Sequence, residues 1–348
     1  MKSETNNHSY NWLFNISVSY IIALFSWFFL YIVFGDSNGF LGLANALALY
    51  LFVPLPIITL IALRLKFKKL MIPLLSGVII FAFLWGPLFF SSGAPFIEAS
   101  VSLRVMTFNV LGRAGSHEPI LKTIREEAAD VIFLQELTPE IASVISLRLS
   151  DEYPYQILQA ASRSRGLGVI SRYPLQKLDV LIPGNWMGTP QILEMDLEGA
   201  AITLVNFHTI PTGSLWPRRV VGTFADRERD LAALANFAVT QRKIGPLIVA
   251  GDANTTRLNE AYKSLAAELE DAWLQGGFGF GHSFPGPYEE GNSYAQISFF
   301  RIPYWLVSID YIFYSNEFAA MDTWMGAFYG GTDHRAVVSD ILLKPQSE

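Results

Sequence analysis

The sequence predicts an α/β sandwich of mixed sheets with helices on the outside, preceded by three membrane-spanning helices. Two observations lead there. The N-terminal end carries three long apolar runs, and the rest alternates β-branched runs with amphipathic stretches, without internal repeat or low-complexity tract. The polar, Pro- and Gly-bearing joint Ser91-Ser92-Gly93-Ala94-Pro95 separates the two parts. Composition agrees: 51% hydrophobic residues, 16% charged residues and a mean hydropathy of +0.31 are too apolar for an ordinary soluble chain of 348 residues.

The apolar runs cover residues 12–34, 40–63 and 70–90, each long enough to cross a bilayer, and none holds a charged side chain. A charge at a helix centre would cost about 2.5–3.5 kcal/mol on insertion. A cleaved signal peptide is the alternative for the first run, but its apolar stretch exceeds an ordinary signal core and no small-x-small cleavage site follows. Pro54 and Pro56 interrupt the second run and predict a kink in a surviving span. Arg64, Lys66, Lys68 and Lys69 crowd the second connection, whereas residues 35–39 hold no cation. Because Lys and Arg near span ends stay cytoplasmic, everything after residue 90 is expected outside the cytoplasm. The chain thus divides into a membrane anchor, 1–95, and a second domain, 96–348.

In that domain, strands are expected at 103–110, 131–135, 155–158, 168–171, 192–196, 201–207, 247–250, 309–314 and 337–342, and helices at 118–127, 139–149, 224–238 and 259–269. The order β-α-β-α, then four strands, then α-β-α-β-β, is that of a sandwich with mixed sheets. Cysteine is absent, which excludes disulfides and thiolate metal sites. Beyond residue 95 the chain carries 20 cations against 29 anions, a net charge of −9 that disfavours a general nucleic-acid binder.

Six short motifs fall where strands end: Thr107-Phe108-Asn109, Gln135-Glu136, Asn206-Phe207-His208, Gly251-Asp252-Ala253-Asn254, Ile309-Asp310-Tyr311 and Thr332-Asp333-His334. Singly each is weak. Gln-Glu after an apolar run is ordinarily a solvated strand end, Gly-Asp-x-Asn an Asx turn, and a lone histidine on a strand a satisfied core residue. In this order, however, the six resemble the endonuclease/exonuclease/phosphatase superfamily, which includes deoxyribonuclease I, apurinic endonucleases, inositol-polyphosphate 5-phosphatases and neutral sphingomyelinases. The resemblance spans residues 101–343 and implies a four-layer sandwich, two mixed, mostly antiparallel sheets flanked by helices. It also implies a metal-dependent phosphoester hydrolase.

Residue chemistry fits that class. Mg²⁺, with Mn²⁺ as its substitute, prefers carboxylate oxygens, and Glu136 and Asp333 are the expected ligands. Asp252 suits the orienting of a nucleophilic water, and Asn254, two residues along, can donate to a phosphoryl oxygen. His208 and His334 are expected as further donors, and the resemblance pairs His334 with Asp310. Asn109 is similar to the family asparagine that steadies the metal ligand or the phosphate, and is expected at the metal with Glu136 and Asp333 as well as at the substrate. Arg163, Arg165, Arg218 and Arg219 stand in loops between the matched strands and are candidates for bidentate grip on a substrate phosphate; solvation is their ordinary state. His8, His117 and His282 lie outside the motifs. The family's Gly-Asp-Phe-Asn stands here as Gly-Asp-Ala-Asn, which keeps both polar groups.

Three spans ahead of such a domain, with Asp271-Ala272-Trp273, the glycine-rich run from Gly279 to Gly286 and Arg301-Ile302-Pro303, resemble the bacterial membrane branch of VanJ-type proteins. That resemblance implies action on a polyprenyl pyrophosphate or a phospholipid headgroup. An extracytoplasmic nuclease or nucleotide phosphodiesterase is the alternative, and a catalytically inactive binding domain a third reading. No long basic groove element is visible, which disfavours duplex nucleic acid. Oligomeric state is left open.

Overall fold

A computed structural model describes residues 10–90, 101–111, 117–212, 217–287, 294–297 and 300–345. The joint at 91–95 lies outside them.

In the anchor, helix α1 (Asn11–Phe34) and the helical stretch Lys68–Phe89 are each long and apolar enough to cross a membrane. The expected span at 40–63 is not one kinked helix. It divides into α2 (Gly39–Ala46) and a stretch Ala48–Arg64 that contains α3 (Pro54–Arg64), bent by 63° from each other. The bend falls at Leu47, ahead of the prolines, because Pro54 opens α3 at a first-turn position where its missing N–H is not required. Asn45, buried near the end of α2, accepts from Trp27 Nε1 at 3.1 Å and donates to the Gly35 carbonyl and Asp36 Oδ1. Helix α4 (Met71–Trp85) forms most of the last apolar stretch.

The remaining chain folds as four layers. The first sheet has the order β13-β14-β1-β2-β4-β3, from β1 (Val101–Asn109), β2 (Val131–Gln135), β3 (Tyr155–Gln159), β4 (Leu167–Ser171), β13 (Phe318–Met325) and β14 (Val337–Leu343). The second has the order β5-β6-β7-β8-β12-β9, from β5 (Leu175–Lys177), β6 (Gly188–Leu197), β7 (Ala200–His208), β8 (Leu247–Asp252), β9 (Glu270–Asp271) and β12 (Asp310–Tyr314). Each sheet has one parallel pair, β1 with β2 and β7 with β8, among antiparallel neighbours. A short hairpin, β10 (Ala295–Ile297) and β11 (Phe300–Ile302), stands apart.

Helices α5 (Glu118–Glu127) and α6 (Pro139–Arg148) cover the first sheet, and α7 (Pro217–Gln241) and α8 (Glu260–Ala266) the second. Helix α5 buries Ile120, Leu121 and Ile124 on one face and stops where Ala128 turns left-handed at φ 48°. Thr138 caps α6 by accepting from the Ile141 N–H, with Pro139 in the first turn. A short α9 (Ala272–Gly276) is capped by Asp271. Between the sheets, Val105, Phe133, Val169, Leu193, Leu204, Ile248 and Ile312 interleave in one core.

That core carries a polar brace. Thr107 Oγ1 donates to Gln135 Oε1, Gln135 Nε2 donates to Asn206 Oδ1 at 2.8 Å, and Asn206 Nδ2 is shared among the Leu134 and Gly168 carbonyls and Gln191 Oε1. Leu134, Gln135 and Gly168 belong to the first sheet, Asn206 and Gln191 to the second, so fully buried amides tie the layers together just beneath the strand ends.

Strand β13 was not expected, because Phe-Ala-Ala-Met-Asp-Thr-Trp-Met has no β-branched run; pairing with β14 makes it a strand. Helix α7 begins seven residues ahead of the expected 224, and β6 is longer at its N-terminal end than 192–196.

Candidate active site

Strand direction gathers the motifs. Parallel strands β1 and β2 end together at Asn109 and Gln135, and parallel β7 and β8 end together at His208 and Asp252. Strand β12 is antiparallel to β8 and begins at Asp310, paired with Asp252; β14 is antiparallel to β1, which brings Thr332-Asp333-His334 to the same end. All six motifs, from four strand ends, one strand start and the segment ahead of β14, therefore converge at one rim of the sandwich, above the amide brace.

Asn109 is the hub. Its Nδ2 donates to Asp252 Oδ2 at 3.0 Å and to Glu136 Oε1 at 3.3 Å, and its Oδ1 accepts from the Leu111 N–H. The amide therefore holds two carboxylates side by side and turns its own oxygen to the backbone, the posture of a positioning group rather than of a metal ligand. Glu136 stands just past β2 at φ 57°, and Asn254 at φ 46°, backbone that non-glycine residues adopt only when the surroundings hold them. Asn254 N–H donates to Asp252 Oδ1 and its Nδ2 to the Thr209 carbonyl, which leaves a second amide hydrogen for a ligand.

The two histidines differ. His334 Nδ1 donates to Asp310 Oδ2 at 2.9 Å, and its Nε2 lies 3.9 Å from both Asp252 Oδ2 and Asp333 Oδ1. Burial disfavours a charged ring there, but Asp310, Asp252 and Asp333 outweigh it and hold the pKa up to about 10, so Nε2–H is a cationic donor. His208 Nδ1 donates to the Ser164 carbonyl at 3.2 Å, and burial lowers its pKa. The neutral ring then presents the lone pair of Nε2, without a hydrogen-bond partner, toward Asp252 Oδ2 at 3.5 Å and Glu136 Oε1 at 4.0 Å. Of the two histidines expected as donors, His334 presents an N–H at Nε2, while His208 in its neutral state presents an acceptor there.

Burial, then the charge of Asp310, pushes the Asp252 carboxyl up to about 8, against His334 and the Asn254 and Asn109 donors. Asp310 Oδ1 is buried without a partner. Asp252, Asp310 and His334 each bring a ligand atom within 4.8 Å of the others, and Asn109 adds Glu136 to the same cluster. Oxygen-rich, anionic and short of donors, this set fits a hard divalent cation. The expected pair of Glu136 and Asp333 is drawn wider by the geometry: the two flank Asp252 on opposite histidines, with Asp310 inside.

Several further side chains support the cluster. Ser164 Oγ donates to Glu136 Oε2 at 2.7 Å while its carbonyl holds His208. Thr332 Oγ1 donates to the Asn109 carbonyl and accepts from the His334 N–H, and Ser283 Oγ accepts from the Asp310 N–H. Arg227, fully buried on α7, donates through Nη1 to Ile210 O, Thr212 and Thr223, and so holds the segment after His208. Arg163 and Arg165 are exposed on either side of Ser164, and among the described residues no hydrogen bond or ion pair links them to the cluster. The side chains of Arg218 and Arg219 lie outside the described residues. His282 Nδ1 donates to the Trp305 carbonyl at 2.7 Å, outside the cluster.

No curated protein matches the sequence. Among solved structures, an endonuclease/exonuclease/phosphatase from Beutenbergia cavernae is similar at 22% identity and a TM-score of 0.51, over 70% of this chain and 72% of that one. A humanized D. rerio TDP2 is similar at 17% identity and 0.52, over 69% and 98%, and TDP2 from C. elegans at 16% and 0.52, over 72% and 77%. At these identities the likeness concerns the fold. The model of the Endonuclease/Exonuclease/phosphatase family matches residues 106–334, from β1 to His334. The chain belongs to the Endonuclease/Exonuclease/phosphatase family, whose members are metal-dependent phosphoesterases and nucleases.

Proposed function

We propose that the protein is a Mg²⁺-dependent hydrolase acting on a lipid-linked phosphate or pyrophosphate, with its catalytic domain outside the cytoplasm. The observation that carries this reading is the seam between anchor and domain. Tyr50 Oη donates to the Leu306 carbonyl at 2.6 Å, the Gly279 N–H donates to the Leu88 carbonyl at 2.7 Å, and Phe89 meets Phe278 and Phe280 edge-on. A catalytic rim fixed to helix ends meets lipid-borne phosphate at high effective concentration. Along the seam a cavity of about 220 Å³, walled by Leu49, Trp85 and Leu88 of the anchor and Leu258, Leu274 and Phe280 of the domain, offers apolar surface beside the loop that follows Asn254.

In this reading Glu136, Asp252 and Asp310 supply the oxygens for the cation, with Asp333 and His334 at its edge. When bound, such an ion polarises a phosphoryl oxygen and makes a bound water more acidic. Asp252 orients the water and takes its proton. His334, charged and fixed by Asp310, donates through Nε2 to a phosphoryl oxygen, and the second amide hydrogen of Asn254 does the same. Asn109 keeps Glu136 and Asp252 together, and His208 accepts at Nε2. Arg163, Arg165 and Arg218 are assigned no part in the chemical step.

The test is phosphate release from a detergent-solubilised lipid pyrophosphate by the full-length protein. Release is expected with Mg²⁺, not with chelator, and to fall about 10²–10⁴-fold in Asp252→Ala. Release no greater than that of the variant would overturn the reading. Plasmid, single-stranded DNA and RNA form parallel arms, and cleavage there without lipid turnover would favour the nuclease reading.

A further inference from the structure

We infer that Asp36, in the connection between α1 and α2, is a positioning residue through which the membrane anchor shapes the catalytic loop 252–259. The inference rests on the hydrolase reading for its activity assay only.

Asp36 is a buried carboxylate at 8% exposure that, among the described residues, touches no cation by hydrogen bond. It accepts instead from three N–H groups: Asn45 Nδ2 at 2.8 Å on Oδ1, and Asn259 Nδ2 and the Glu260 backbone N–H, each at 2.9 Å, on Oδ2. Asn259 immediately precedes α8, in the cap position, yet its side chain does not cap that helix. It faces the other way. Its Oδ1 accepts from the Thr256 N–H at 3.1 Å and Thr256 Oγ1 at 2.9 Å, and its Nδ2 reaches Asp36 and the Gly42 carbonyl. Asp36 takes over the first N–H of α8 in its place.

A continuous chain of hydrogen bonds thus runs from Trp27 in the first span, through Asn45 and Asp36, to Asn259 and Thr256, two residues from Asn254. The far end of that loop is already fixed, since Ala253 N–H donates to Ile309 O and Asn254 N–H to Asp252. Asp36 fixes the near end. Two glycines let the anchor come this close: a Cβ on Gly35 would lie 2.7 Å from Glu260 Oε1, and one on Gly42 2.7 Å from the Phe224 ring of α7. Without the carboxylate, the fully buried Asn259 amide has one partner fewer, the α8 N-terminus none, and the loop carrying Asp252 and Asn254 loosens.

The test is Asp36→Asn in the full chain, read by two measurements. Hydrogen–deuterium exchange is expected to rise in peptides covering 253–260 and to stay unchanged in β2 and β6. In the lipid pyrophosphate assay, kcat is expected to fall on the order of tenfold to a hundredfold with KM nearly constant. The double variant Asp36→Asn/Asn259→Ala should be no slower than Asn259→Ala alone, since Asp36 reaches Thr256 through Asn259. Should Asp36→Asn not fold, Thr256→Val, which removes only the hydroxyl at the other end of the chain, carries the same expectations. Wild-type exchange in 253–260, or additive losses in the double variant, would overturn the inference. If the wild type hydrolyses nothing, the hydrolase reading fails separately and the exchange measurement still decides.

Discussion

Burial and charge compete within single residues of this site, and pH separates them. The His334 ring, raised from 6.5 to about 10 by Asp310 and its neighbours, contributes stability in full below pH 6.5 and loses it as pH rises toward 10. Asp252, raised from 3.8 to about 8 chiefly by burial, acts in the same sense: stability present at low pH is lost across that interval. His208, lowered by burial, acts oppositely, its contribution complete above 6.5 and lost below. The chelated protein is therefore expected to show a Tm that declines from pH 6.5 to 10, with Mg²⁺ raising it most at the alkaline end by favouring ionised Asp252. Asp310→Asn removes the charge that holds His334 up and Asp252 neutral, so its Tm should decline less steeply. A chelated wild type with flat Tm over that range would refute the assignment.

Among elements, the two parallel strand pairs do most to make the site, and they were also the most readable in the sequence. The runs ending at Gln135 and Asp252 are apolar and β-branched because β2 and β8 are buried on both faces, and polar residues at their ends stand out for that reason. Strand β9, two residues long, and β13 exist through pairing with neighbours, which no local pattern reveals. The same limit hid Ser164, whose partner is 28 positions away, and the bond that the motif residue Thr332 makes to Asn109 across 223 positions. Gln135 and Asn206 were visible as motif members, but not that they join the sheets. Asn206→Leu is expected to take away the Asn206 partner of Gln135 Nε2 and of Gln191 Oε1, at about 1–3 kcal/mol for each group left unsatisfied. Thermal unfolding should report a much larger loss than for Gln191→Leu, which removes only one arm of the brace. Equal losses would mean that Asn206 packs rather than ties.

For the whole molecule, the contacts between anchor and domain bear on how often the chain crosses the membrane. Asp36, after α1, bonds Asn259, and Leu88, at the end of the last apolar stretch, bonds Gly279. Both belong to one domain, so both lie on its side of the bilayer. Between them the chain crosses an even number of times. If Lys68–Phe89 spans, the bent pair of α2 and Ala48–Arg64 must carry the other crossing, despite its 63° break. On this ground we propose three crossings, which would put Arg64, Lys66, Lys68 and Lys69 on the face opposite the catalytic domain, the cytoplasmic one by the positive-inside preference. The chain has no cysteine, so single introduced thiols report position without background. A membrane-impermeant maleimide on intact cells should label Asp151→Cys, on the domain surface, and should label Lys68→Cys only after permeabilisation. Labelling of both before permeabilisation would mean that neither the bent pair nor Lys68–Phe89 crosses, with Asp36 still on the side of the domain. Labelling of Lys68→Cys alone would reverse the orientation, and with it the leaflet from which a lipid phosphate reaches Asp252 and His334.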